Sequence, residues 1–128
     1  MSKALLYHNP RWGKSREAVK LLNSNNTDFD VVEYLKDPLS ENEILVLAKK
    51  LGKRPKDFIR TSEKDFKDNN IKSLINNDRA LAKAMEGLPK IMERPIFVVG
   101  ENAVIGRPPE NILTLLDKKT VLWKTFYF

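Results

Sequence analysis

The chain has 128 residues, no cysteine, one histidine and a formal net charge of +6, from 23 Lys and Arg against 17 Asp and Glu. That length suits one domain, with a core able to form without disulfides or metal; it leaves no thiol for redox or nucleophilic chemistry and too few soft ligands for zinc or iron–sulfur centres. No apolar run approaches the ~20 residues of a membrane span and no Lys/Arg block reaches the roughly five or six residues of a basic arm, so neither a membrane nor a nucleic acid is expected, whereas the modest positive excess suits a small anion or an acidic partner surface.

The apolar stretch after Lys3 is broken at His8, too short for a signal-peptide core. A cytoplasmic protein is therefore expected, with no metal and no cofactor. Residues 4–7 read as a short buried strand. His8-Asn9-Pro10-Arg11-Trp12-Gly13-Lys14 then makes a tight loop that leads into a helix over 15–25, with Ala18, Leu21, Leu22 and Asn25 at helical spacing. The free N–H groups at such a helix start, together with its dipole, make a seat for an oxyanion. Arg11, Lys14 and Arg16 lie beside it. The same residues also suit a plain strand-to-helix connection whose cations face water.

The Asn23-Ser24-Asn25-Asn26 run ends the helix, because these side chains compete for helical hydrogen bonds. Residues 29–35 form a second strand, with Val31, Val32 and Tyr34. A strand, a helix and a strand make a right-handed βαβ unit with parallel strands. After a turn at Asp37-Pro38-Leu39, Ser40 and Glu43 form a capping box. Ile44, Leu47, Ala48 and Leu51 give the helix behind it one apolar face, and Gly52 stops it.

Residues 53–60 are a basic link, with a helical turn over 57–60. Residues 62–69 read as a surface helix anchored by Phe66. Asp78 is expected to cap a further helix, lined by Leu81, Ala84, Met85 and Leu88 and ended by Gly87 and Pro89. Two apolar runs, 96–99 and 103–106, flank a turn over 100–102 and read as an antiparallel hairpin. Pro108-Pro109 opens a last helix with Ile112, Leu113, Leu115 and Leu116 on its buried side. The aromatic tail over 121–128 suits a strap across the core, or a partner contact. The order β-α-β, helices, β-β-α predicts a mixed four-stranded sheet flanked by helices.

Several strings resemble the arsenate reductase (ArsC) family. Its first loop reads His-Asn-Pro-x-Cys-x-x-Ser-Arg, matched here by His8, Asn9, Pro10, Ser15 and Arg16, with Trp12 in the place of the cysteine. Phe58-Ile59-Arg60-Thr61, Glu93-Arg94-Pro95-Ile96 and Ile105-Gly106-Arg107-Pro108-Pro109-Glu110 match its three oxyanion arginines, in order and at family spacing. The resemblance implies an α/β thioredoxin-like fold with a helical insertion, in one domain over 1–128. It also implies an oxyanion site made of Arg60, Arg94, Arg107, Gly13, Lys14 and Ser15. His8, Asn9, Pro10, Arg11 and Pro95 would support the loop, with Pro95 as the cis-proline. The ligand class implied is phosphate, sulfate or arsenate.

In that family, which couples to glutathione and glutaredoxin, the cysteine thiolate attacks arsenic. An indole has no lone pair for that attack. The resemblance therefore implies an oxyanion-binding, non-catalytic homologue. Trp12 would either fill the anion pocket or lie beside it with an arginine on its face. Two other readings stand beside this one. One is a protein-interaction module with an unidentified protein partner, as in the Spx regulators that share the scaffold; this chain lacks their Cys-x-x-Cys and has Gly106-Arg107-Pro108-Pro109. The other is a reductase with a non-thiol route, in which Ser15 would need His8 as its base.

Overall fold

The computed structural model describes residues 4–116. The chain forms two compact units, one made of its two ends, through Val31 and from Arg94 onward, and the other of Val32–Glu93. The expected aromatic tail over 121–128 lies outside the described residues.

The first unit is built on a sheet. Its elements are β1 (Ala4–His8), α1 (Gly13–Ser24), β2 (Phe29–Glu33, which runs two residues past the unit's boundary), β3 (Ile96–Val99) and β4 (Asn102–Ile105), with strand order β2-β1-β3-β4. β1 runs antiparallel to β3, with Leu6 opposite Phe97, and β3 antiparallel to β4, with Phe97 opposite Val104. The sheet is mixed, so β1 and β2 are its parallel pair, as the βαβ order requires. Burial in β1 alternates, with Ala4, Leu6 and His8 inside. On α1 the buried residues are Ser15, Ala18 and Leu22, one stripe at helical spacing. Ala4, Leu6, Ala18 and Leu22 meet Phe97 and Ile112 in one apolar cluster. Each large side chain fully buried there contributes about 1.5–3 kcal/mol over its exposed state.

Three boundaries differ from the sequence reading. α1 starts at Gly13, two residues early, because Trp12 is extended (φ −101°, ψ 129°) and its carbonyl already accepts the Arg16 N–H at 3.1 Å. β2 stops at Glu33, whose carbonyl accepts the N–H groups of Lys36 and Asp37 in a turn. The hairpin loop is the two residues Gly100 and Glu101, with Val99 paired to Asn102. Gly100 has φ +59°, the positive first position that a tight hairpin turn needs. After β4 the chain makes a 3-10 turn, Pro109–Ile112, and continues as helix over 113–116.

The Val32–Glu93 unit is helical. α2 (Glu41–Leu51) begins with the expected capping box: the Glu43 N–H donates to the Ser40 hydroxyl and the Ser40 N–H to the Glu43 carboxylate. It ends at Gly52, which is left-handed (φ +67°). The segment expected as a helical turn over 57–60 is a 3-10 turn at Pro55–Phe58, after which Ile59 bridges Met92. α3 (Lys64–Asp68) is a single short helix with Phe66 buried. α4 (Asp78–Gly87) is capped by Asn77, whose side chain accepts the Ala80 N–H at 3.0 Å, and not by Asp78 as expected. Asp78 instead accepts from Arg54 Nε at 3.0 Å. The Glu41 N–H donates to the Glu86 carboxylate at 2.8 Å and Arg79 pairs with Glu41, so α2 and α4 are tied at their ends.

Candidate anion site at the head of the first helix

The loop between β1 and α1 is shaped by Asn9. Its side-chain oxygen accepts the Arg11 N–H at 3.1 Å, its carbonyl accepts the Trp12 N–H at 3.0 Å, and its own N–H donates to the Ser15 hydroxyl at 3.4 Å. This is the local turn that an Asn side chain favours. His8 and Asn9 are buried, and Ser15 is completely so. The Ser15 hydroxyl thus braces the loop from inside. Arg16 braces it from outside, donating to the Pro10 carbonyl at 3.1 Å. Pro10, Arg11, Gly13 and Lys14 are exposed.

Trp12 stands at the N-cap of α1 and contributes no side-chain cap. The first N–H groups of the helix, at Gly13, Lys14 and Ser15, have no partner within the helix by geometry, and the dipole makes this end positive. Two strand ends bring arginines to the same indole. Arg94, before β3, has its guanidinium carbon 3.6 Å from the Trp12 ring centroid. Arg107, after β4, lies at 5.5 Å. Arg94 is buried, at 3% exposure, and Arg107 is exposed. The Arg94–Pro95 bond is cis, as expected for Pro95, and Arg107–Pro108 is cis as well.

At 3.6 Å a guanidinium must lie nearly flat on the ring, because an edge-on approach would drive a nitrogen into it. Flat stacking uses the π face and leaves the N–H donors, which lie in the guanidinium plane, at the edge. The electron-rich indole face also offsets part of the repulsion between the two cations. The result is a cluster of positive charge with directional donors, chemistry suited to an oxyanion.

Arg60, the third expected arginine, belongs to the Val32–Glu93 unit. Its Nη1 bonds Glu63 at 2.7 Å, its Nε lies 3.9 Å from Glu93, and its N–H donates to the Ile91 carbonyl. Sequence reasoning missed both carboxylates. Glu63 at i+3 was a readable signal; Glu93 was not, since only the chain pairing around Ile59 and Met92 brings it close. Among the described residues, no group of three or more His, Cys, Asp or Glu could hold a metal ion, and no helix is long and apolar enough to cross a membrane.

The fold and the sheet-end loops define a thioredoxin-like α/β protein of the arsenate reductase type. A model of the ArsC family matches residues 7–115, and the chain belongs to that family. It is 40% identical to the YfgD protein of Escherichia coli over 112 residues, covering 87% of this chain and 94% of the relative. It is 37% identical to an arsenate reductase of Haemophilus influenzae, covering 88% and 97%. A solved arsenate reductase from Vibrio cholerae superposes with a TM-score of 0.83 at 36% identity, over 88% of this chain and 96% of that one.

Proposed function

We propose that this ArsC-family chain binds a tetrahedral oxyanion (phosphate, sulfate or arsenate) in the cytoplasm without reducing it. One observation carries the reading: Trp12 caps α1, at the position that the resemblance gives to the family's nucleophilic cysteine, with the Arg94 guanidinium on its ring. The 128 residues contain no thiol to take over the attack. Ser15 is fully buried, with its hydroxyl turned to the Asn9 N–H. Attack by a hydroxyl would in any case make an arsenic–oxygen ester, which hydrolyses back to arsenate with no sulfur to carry the electrons. Glutathione and glutaredoxin, which the resemblance implies for cysteine-bearing members, have no protein thiol here to act on.

The binding half of the proposal is supported by the amides at the head of α1 and by the Arg94 and Arg107 donor edges. Arg60 is assigned to the same anion by the resemblance alone. Ligand linkage supplies the test. Millimolar phosphate or arsenate should raise the melting temperature above that in chloride at equal ionic strength. Arsenate incubated with the chain, glutathione and glutaredoxin should give no arsenite above the protein-free control. Identical melting curves in every tetrahedral anion would overturn the binding half, and turnover would overturn the other.

A further inference from the structure

We infer that Trp12 is a positioning residue for that anion: its indole is a plate on which Arg94 is laid, with Arg107 drawn toward it, so that guanidinium N–H edges meet the ligand. This rests on the oxyanion reading above and gives a task to the residue that stands where a nucleophile would be.

The ring is shared. The Arg94 guanidinium carbon lies 3.6 Å from its centroid and that of Arg107 5.5 Å, so the ring at the N-cap of α1 carries the arginine before β3 and has the arginine after β4 within cation–π range. The Gly106 N–H also bonds the Pro95 carbonyl at 2.8 Å, so the backbones beside the two arginines are linked. Yet the backbone link does not fix a guanidinium, which has several rotatable bonds beyond it. The stack sets what the backbone does not, namely the plane of the Arg94 donor fork, and the ring face attracts Arg107 beside it. Arg94 is almost fully buried, where cation–π attraction is strongest, and Arg107 is exposed. Without the indole face, the repulsion between the two cations would be less offset.

The test is inorganic phosphate titrated calorimetrically into the intact wild-type, Trp12→Phe and Trp12→Leu chains, with the Arg94 side-chain NMR resonances followed in parallel. Trp12 is half-buried and precedes the first helical residue, so both variants should keep the melting transition. The Leu variant should bind phosphate about tenfold more weakly, and the Phe variant, with a smaller ring in the same place, should stay within about threefold of wild type. Ring-current shifts of Arg94 should be present in the wild type and the Phe variant and lost in the Leu variant, with or without phosphate. The inference is overturned if the Leu variant binds like the wild type, if both variants lose equally, or if the Arg94 resonances ignore the Leu change. A wild-type chain that takes up no phosphate overturns the oxyanion reading and this inference together; wild-type binding matched by the Leu variant overturns this inference alone.

Discussion

The Gly106 N–H donates a 2.8 Å hydrogen bond to the Pro95 carbonyl, and so ties the residue before Arg107 to the residue after Arg94. The approach is close. A Cβ at position 106 would stand 3.0 Å from Pro95 Cγ and 3.1 Å from Ile112 Cδ1. Gly106→Ala should therefore cost about 1–3 kcal/mol of stability through overpacking. It should also weaken phosphate binding, since the two arginine loops are pushed apart. Urea unfolding and calorimetry on the same variant check both parts; a variant as stable as wild type would contradict the first.

Asn77 and Asp78 are neighbours with different work. Asn77→Ala removes the α4 cap and should cost about 1 kcal/mol. Asp78→Ala removes an ion pair to Arg54 in which both side chains are more than a third exposed, and should cost at most a few tenths of a kcal/mol. Chemical denaturation of the two variants separates them, and the reverse ranking would contradict the assignment.

Arg94→Lys keeps the charge and removes both the fork and the flat stack. The expected loss is about 1.5–3 kcal/mol of phosphate binding, the range for a hydrogen bond to a charged group. Arg54→Lys, in the Val32–Glu93 unit and paired to Asp78, should leave phosphate binding unchanged. Calorimetric titration of both variants is the measurement.

Trp12→Cys places a thiol at the N-cap of α1, next to Arg94 and Arg107, where a thiolate is favoured. With glutathione and glutaredoxin this variant should form arsenite where the wild type forms none. It should at the same time hold phosphate more weakly than the wild type, because the stacking ring is gone.

Much of the fold was legible because its signals are local. Ser40 with Glu43, Gly52, and the apolar runs around Gly100 name a capping box, a helix stop and a hairpin within a few residues each. The errors arose where two local signals compete. Asn77 and Asp78 are both good caps, and the choice between them goes with a pairing to Arg54, far away in the chain. Trp12 carries no cap oxygen, so no local signal marks Gly13 as the first residue of α1. The arginines of the candidate site were legible only through resemblance. That Arg94 lies closest on Trp12, and that Glu63 and Glu93 hold Arg60, follows from tertiary packing that no short string encodes.

The most direct measurement of the central claim is a calorimetric titration of arsenate into the wild-type chain with glutathione and glutaredoxin present, followed by arsenic speciation of the recovered solution. The expected result is a saturable heat together with arsenate recovered intact. A heat no larger than dilution, or arsenite in the recovered solution, would contradict it.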